Sequence, residues 1–270
     1  MKTLKYLWLL ITGVILTSGA FAQSQQLTVP LTNPGKPFKL NVNLISGSIS
    51  ITGYEGRDII INAHGKDDKK EDRDTKTGMR RIGNGGRMEI NAQENANQID
   101  VSSGLINKQV DLIIKVPMSN GTFKIATVND GNIAISNAGG GFEVINVNGY
   151  IHMNGISGSV VANTVNGGVK VGFKNIDPKA AMAFSTLNGD VDVTFPAGFR
   201  ANVKLKSDRG EIFTDFNMVA DNRQPSVRKT VNNGLYNIKI NEWVYGKIEG
   251  GGPEILMKNM NGNIYLRKAK

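Results

Sequence analysis

Three short stretches of the sequence are near copies of one another and decide the expected fold. They read Val147-Asn-Gly-Tyr-Ile-His-Met153, Val165-Asn-Gly-Gly-Val-Lys-Val171 and Leu187-Asn-Gly-Asp-Val-Asp-Val193. In each copy an Asn-Gly turn leads into alternating apolar residues, the pattern of a strand with one buried face. Further copies occupy Val128–Ile135 and Met260–Leu266, so the sequence predicts a protein built from one repeated strand-forming unit.

The spacing of the repeats predicts how they are stacked. The repeat glycines are Gly131, Gly149, Gly167, Gly189 and Gly210, which lie 18, 18, 22 and 21 residues apart. A second series, Gly140 and Gly158, is offset by 9 residues, so each repeat has two sides. This period favours an all-β, single-stranded parallel β-helix, a β-solenoid with rungs of about 18–22 residues over 40–270. Because Asn-Gly is also a strong hairpin signal, an antiparallel β-meander or sandwich is the alternative.

Stacked rungs place equivalent residues above one another, which predicts a ladder of hydrogen bonds between side-chain amides. We expect the following asparagines to serve this structural role rather than to contact a ligand: Asn129, Asn148, Asn166, Asn188 and Asn261. The glycine after each asparagine is expected to adopt a left-handed corner conformation. The same alternation predicts that Val169 and Val191 point inward on adjacent rungs and that Lys170 points outward.

Four segments fall outside the repeat. Residues 1–22 fit a signal peptide, with a basic start, an apolar run and a small-x-small cleavage site at Ala20-Phe-Ala22. Residues 23–39 are expected to form an N-terminal tail or cap, and 65–87 and 217–233 are expected to be polar loop insertions. The protein is therefore predicted to be exported, and to be periplasmic, at the cell surface or extracellular, with no integral membrane segment after signal removal.

Composition narrows the possible chemistry. The chain has no cysteine, which excludes disulfides, thiolate metal sites, cysteine nucleophiles and lipid anchoring on a cysteine. Lysine and arginine number 32 against 23 acidic residues, a formal charge of +9 that permits anionic partners. Because these charges are scattered and not interleaved with aromatic residues, no nucleic-acid partner is expected. Envelope or surface proteins and glycans remain the expected classes of partner.

Catalytic residues are not evident. His64 and His152 belong to no metal or nucleophile motif, and the acid-rich stretch 67–74 lacks the ligand order of a calcium loop. Asp190 and Asp192 lie two residues apart, and acidic clusters on solenoid faces do serve polysaccharide-cleaving enzymes. The outward neighbours nevertheless mix in type, so we predict no catalytic, cofactor-binding or metal-binding residue and no enzyme activity.

A succession of motifs carries a family resemblance. These are Val110-Asp-Leu-Ile-Ile-Lys-Val-Pro117, the Asn-Gly rungs, Phe195-Pro-Ala-Gly198, Ser207–Phe216 and the closing Gly250–Arg267. In this order they resemble the bacterial putative-adhesin family of β-strand-repeat proteins, which is related to the head domain of putative autotransporter adhesins. The resemblance spans about 40–268. It implies an exported single-chain β-helix and supplies no catalytic residues.

Three functions follow in order of preference. The first is an exported, non-catalytic β-solenoid that presents an extended surface for adhesion or cell-envelope interaction. The second is an envelope structural or stress-associated accessory protein that binds a partner protein. The third is a polysaccharide-active β-helix enzyme.

Overall fold

The structure is a computed structural model that describes residues 25–65, 89–103, 109–118, 120–221, 226–232, 235–241 and 243–270. These residues form twenty-two strands joined by turns and bends, and none of them lies in a helix. The described chain is therefore all-β. Pairing connects twenty of the strands into one network. That network has two sides, which we call stack A and stack B.

Stack A consists, in spatial order, of β5 (Ile90–Asn95), β6 (Gln98–Ser103), β2 (Phe38–Ser46), β8 (Gly121–Asn129), β10 (Gly139–Asn146), the second half of β11 (Ile151–Asn163), β13 (Met182–Ser185), β21 (Glu254–Asn259), β15 (Ala201–Ser207), β20 (Val244–Ile248) and β17 (Met218–Asp221). Stack B consists of β1 (Gln25–Val29), β4 (Ile59–Gly65), β7 (Val110–Pro117), β3 (Ile49–Tyr54), β9 (Ile133–Ser136), the first half of β11, β12 (Val169–Ile176), β14 (Val191–Phe195), β22 (Ile264–Lys268) and β16 (Ile212–Thr214). A separate hairpin joins β18 (Ser226–Asn232) to β19 (Leu235–Asn241).

Pairing within the stacks is mixed. Interior neighbours run parallel, as do β10 with β11 and β12 with β14. Antiparallel pairs occur at the ends, where β1 pairs with β4 and β4 with β7, β5 pairs with β6, and β20 lies between β15 and β17. Consecutive Asn-Gly repeats therefore pair in parallel, and the alternative of an antiparallel meander is wrong for them.

A strand of stack A, the following turn and the next strand of stack B form one rung. The described residues make eight rungs, in order β2/β3, β6/β7, β8/β9, β10/β11, β11/β12, β13/β14, β15/β16 and β21/β22. In space the second rung lies outside the first, because β2 pairs with both β6 and β8. The eighth lies between the sixth and seventh, because β21 pairs with both β13 and β15. The simple expectation that each rung stacks on the one before it is thus wrong at both ends.

The core lies between the two stacks and is filled from the inward positions of every rung. Val169 pairs with Val191 across adjacent rungs and both side chains are buried, while Lys170 is exposed, so the predicted inward and outward positions are confirmed. Aromatic rings also stack along the core, with Phe173 5.1 Å from Phe195 between ring centroids. Stacked rings of this kind add to the stabilisation from buried apolar area.

The turn glycines allow the rungs to approach closely. A β-carbon built on Gly189 would lie 2.3 Å from the carbonyl oxygen of Gly167, and one on Gly149 would lie 2.0 Å from that of Gly131. Gly189 has a φ of +145°, within the region that favours glycine, as predicted. Gly149 has no positive φ, so there the reason for glycine is the close approach alone.

Three expectations about the remaining segments need comment. Part of the predicted N-terminal tail forms strand β1, whose backbone pairs with β4 at the edge of stack B. The predicted polar loop 217–233 contains strands β17 and β18, because their backbone groups pair with β20 and β19 despite a polar sequence. The predicted signal peptide at 1–22 and nearly all of the predicted loop at 65–87 lie outside the described residues. Nowhere in the described chain does a helix have the length and apolar character of a membrane span.

Candidate functional site

The predicted asparagine ladder is present at the turn from stack A to stack B. Each amide nitrogen donates to the side-chain oxygen of the neighbouring rung. The Nδ2–Oδ1 distances are 3.0 Å from Asn148 to Asn129, 2.8 Å from Asn166 to Asn148, 2.8 Å from Asn188 to Asn166 and 2.7 Å from Asn261 to Asn188. At the next rung Arg209 replaces asparagine and donates to Asn261 at 3.3 Å. These asparagines therefore hold the rungs in register, as expected.

A second ladder runs inside the turn and was not predicted. A buried or half-buried polar side chain two residues before each ladder position donates to the carbonyl oxygen of a turn glycine on a neighbouring rung. The donors and acceptors are Thr127 to Gly47, Asn146 to Gly131, Thr164 to Gly149, Thr186 to Gly167, Asn259 to Gly189 and Ser207 to Gly262. The sequence feature that could have revealed this ladder is the polar residue two positions before each ladder residue. These hydrogen bonds pair carbonyl groups that the tight corners would otherwise leave buried without a partner.

The two aspartates considered from the sequence, Asp190 and Asp192, each have a hydrogen-bond partner on the neighbouring rung. Asp190 accepts a hydrogen bond from the backbone nitrogen of Asn263 at 2.7 Å. Asp192 accepts one from Nε of Arg267 at 2.7 Å, and this contact raises the pKa of Arg267 above its usual value. The carboxyl groups of both aspartates thus contact the rung beyond their own.

The two histidines are also far apart in the fold. His64 lies on β4 opposite Asp111, and His152 lies on β11 between Ala134 and Lys170 of the adjacent rungs. Both side chains are exposed. Among the described residues, no group of three or more histidine, aspartate or glutamate side chains is arranged to hold a metal ion.

An aliphatic stripe follows the outer surface beside the asparagine ladder. Its members lie at equivalent positions of six neighbouring rungs and are exposed or half-buried: Ile45, Val128, Val147, Val165, Leu187 and Met260. Single exposed apolar residues are common, but a continuous row of them is a feature of surfaces that bind other molecules. The repeat therefore places an apolar row and a row of amides side by side.

A shallow groove of about 620 Å³ lies at the ends of β3 and β7, around Tyr54 and Pro117. A second groove, of about 370 Å³, lies on the outer face of stack B in the middle of the stack. The middle groove arises because Gly172 lacks a side chain between Asn154 and Thr194 of the adjacent strands. A bulge in β11 at Gly155, where φ is +66°, widens it. The charged and imidazole side chains on its lining are Lys170, Lys174 and His152.

The Glu94 carboxylate joins the N-terminal segment to β5 at the edge of stack A. This edge is at the far end of the stack from the eighth rung. Glu94 of β5 accepts hydrogen bonds from the backbone nitrogens of Asn97 and Thr32 and from the Thr32 hydroxyl. These bonds, the one from Asn97 first, lower the pKa of Glu94 below its usual value. The role of this contact is to fix the end of the stack.

Two solved structures illustrate what this chain is similar to. A protein described as a putative cell adhesion protein from Clostridium sporogenes has 15% sequence identity and a TM-score of 0.46, and the match covers 92% of this chain and 100% of that one. A protein described as a putative adhesin from Bacteroides fragilis has 12% identity and a TM-score of 0.40, with 92% and 98% of the two chains covered. No family model matches the sequence. No curated protein matches it either. At these identities no residue's role is transferred from the similar structures.

Proposed function

We propose that this protein is an exported, non-catalytic β-solenoid that presents an extended surface for adhesion or cell-envelope interaction. The observation that carries the proposal is the repeated outer surface of the stacks. Six rungs present the aliphatic stripe, and five of them also carry the asparagine ladder in a parallel row, at a spacing of about 4.8 Å from rung to rung. A surface of this kind contacts a partner through accumulated area rather than through one enclosed pocket.

The positions of the carboxyl groups support a non-catalytic role. A glycosidase pair acts from two carboxyl groups that flank one bond, roughly 5–10 Å apart and both facing the substrate. Here Asp190 bonds to the backbone of Asn263 and Asp192 to the side chain of Arg267. Both groups therefore have structural partners. Export to the periplasm, the cell surface or the medium remains part of the proposal and depends on the sequence of residues 1–22.

An attachment assay tests this function. Labelled mature protein is incubated with whole bacterial cells and with envelope fractions, and we expect saturable binding. The variant Asp190→Asn/Asp192→Asn should attach as well as the parent and should show no change in any polysaccharide breakdown assay. Absence of saturable attachment to every surface tested would contradict the proposal. Cleavage of a glycan that is lost in this variant would show an enzyme instead.

A second candidate, an envelope accessory protein that binds a partner protein, is favoured by the aliphatic stripe. Leu187 in the stripe is 41% exposed, and Phe213 on β16, outside the stripe, is 44% exposed. Because the two side chains are similarly exposed, Phe213 is a suitable control for a substitution at Leu187. Capture of a defined envelope protein that is lost in Leu187→Glu and kept in Phe213→Glu would support this candidate. Equal loss in both variants would indicate non-specific apolar adhesion of the chain.

A further inference from the structure

The middle groove on stack B has a composition that sets it apart from the rest of the outer surface. Its floor is Gly172, and its polar walls include Asn154 and Thr194. Two lysines, Lys170 and Lys174, stand on the same strand, and no carboxylate is among the lining residues. The groove has a volume of about 370 Å³ and is open to solvent along the face of the sheet.

The cationic groups at this groove have no protein partner to neutralise them. Within the described residues, neither Lys170 nor Lys174 forms an ion pair. The nearest acidic position in register is Asp192, which faces Lys170 across the strand pair and is bonded to Arg267 at 2.7 Å. The groove therefore has an excess of positive charge over a polar floor, which favours a ligand carrying negative charge.

An exposed aromatic ring lies beside the groove. Tyr150 precedes His152 by two residues, and its side chain is 62% exposed. Its ring lies against the next rung at Gly168, where a β-carbon would be 3.5 Å from Cδ1 of the ring. The ring therefore lies over the backbone of Gly168. An aromatic face held in this way offers an apolar platform next to hydrogen-bonding groups.

We propose that this groove binds an acidic glycan. The carboxylate of a uronic or sialic acid residue contacts Lys170 and Lys174 over Gly172, the hydroxyl groups bond to Asn154 and Thr194, and a neighbouring sugar ring packs on Tyr150. The inference rests on the proposed surface function and assigns it a ligand class and a site.

A glycan fits this position better than an acidic peptide. A peptide that binds to a sheet usually adds a strand to a free edge. The groove lies at β12, whose backbone is already paired on one side with β11 and on the other with β14. At Gly172, the floor of the groove, both sides of the strand are paired, and recognition there uses side chains. Hydroxyl-rich rings with one carboxylate match the amide, hydroxyl and lysine groups that the groove provides.

The test uses the full mature protein and two pairs of probes, each an acidic sugar with a neutral counterpart. These are oligogalacturonate with its methyl ester, and sialyllactose with lactose; inorganic phosphate and polyglutamate complete the set. We expect at least one acidic sugar to bind, with its neutral counterpart about tenfold weaker or more. The variants Lys170→Gln/Lys174→Gln and Gly172→Val should weaken that binding about tenfold, and Tyr150→Ala should weaken it less. The thermal midpoint of each variant, measured alongside, should match that of the parent.

A charge-matched control separates the groove from the net charge. Lys39→Gln/Lys258→Gln removes two exposed lysines from the outer face of stack A, and should change binding by less than about twofold. Equal losses in the two double variants, or no preference for an acidic sugar, would overturn the proposal. So would tighter binding of phosphate or polyglutamate through the same lysines. Cell attachment that persists in the Lys170→Gln/Lys174→Gln variant would overturn the groove assignment alone, whereas absence of any attachment by the parent would overturn the surface function.

Discussion

The middle of the stack and its two ends are built by different rules. From β8 to β14 the rungs follow the chain in order, and each strand pairs in parallel with its equivalent in the next rung. Near each end, two rungs stand in the reverse of their order in the chain. Antiparallel strands lie beyond these rungs, towards the edge of the stack. Similar turns therefore fix the register between rungs, but they do not fix which rung is the neighbour.

The ends differ because they must stop the stack as well as extend it. A parallel stack leaves unpaired backbone groups on its last strand, and such an edge can recruit another chain. Here stack A ends in β5 and β17, both antiparallel to their neighbours, and stack B ends in β1 and in β16, which has only three residues. Reversed and very short edge strands do not continue the repeat.

The largest expected effect is in the middle of the core. Val169→Lys should cost several kcal/mol in the free energy of unfolding, because it places an unpaired charge between Ile151 and Val191. At the end of the stack, Ile212→Lys should cost much less, because that side chain is only half-buried. Denaturant unfolding measures both. The outward Lys170→Ala is the control and should change stability by about 0.5 kcal/mol or less; equal effects of Val169→Lys and Lys170→Ala would contradict the inward assignment.

The next effect concerns the corners of the middle rungs. Gly189→Ala should cost about 1–3 kcal/mol from its φ of +145°, and more from the 2.3 Å approach of the new β-carbon to the Gly167 oxygen. Gly198→Ala, in a turn where a β-carbon meets nothing within 4 Å, should leave stability nearly unchanged. Thermal unfolding of both variants tests this. A small effect at Gly189 would mean that the corner can relax.

The contrast also shows how far the sequence alone could predict the fold. The two-sided repeat, the inward valines and the asparagine ladder all followed from period and alternation, because stacking repeats the same contacts. The exchange of rungs at the ends could not be predicted, since Met260–Leu266, in the rung that lies out of chain order, carries the same Asn-Gly turn as the middle copies. Strand β17 was missed because its pairing to β20 uses backbone groups, to which polarity gives no clue.

The middle groove shows that the candidate site, like the fold, could be predicted from the sequence only in part. Lys170 was correctly predicted to point outward, and His152 occupies the equivalent position in the adjacent repeat. Gly172 and the bulge at Gly155 were not singled out, since a glycine within a strand signals an irregularity without indicating which neighbours surround it. A groove that forms because a side chain is missing can be recognised only in the structure.

A third prediction compares positions along the outer ladder. Asn166 both donates to Asn148 and accepts from Asn188, so Asn166→Ala should cost about 1–2 kcal/mol for two lost bonds. Asn129 has one ladder bond, and Asn129→Ala should cost about half as much. A double-mutant cycle on Asn166 and Asn188 should give a coupling of about 0.5–1 kcal/mol. Equal costs at the two positions, with no coupling, would show that the amides contribute little.

The inner ladder allows a substitution that should stabilise the protein. The buried Oδ1 of Asn146 has no hydrogen-bond partner, whereas Thr164 at the equivalent place donates to Gly149 at 2.9 Å and has no such spare carbonyl. Asn146→Thr should therefore raise the free energy of unfolding by up to about 1 kcal/mol, because it removes an unpaired buried acceptor. The reverse change, Thr164→Asn, should lower it. Destabilisation by Asn146→Thr would indicate that the amide is required at that corner.

The smallest effect belongs to the end of the stack and depends on pH. The pKa of Glu94 is lowered by hydrogen bonds from Asn97 and Thr32, so the carboxylate stabilises the folded end above the usual value of 4.5. This contribution is lost as the pH falls through the lower pKa of the folded state, since the unfolded chain takes up the proton first. Hydrogen exchange at the amides of Thr32 and Asn97 should accordingly accelerate with falling pH, relative to that of Asn166 in the middle and after correction for the intrinsic exchange rate. Glu94→Gln should abolish this extra pH dependence at the end and leave the middle unchanged, because the ladder amides do not titrate. If the middle and the end responded alike, opening would be global, and the two regions would not differ in local stability.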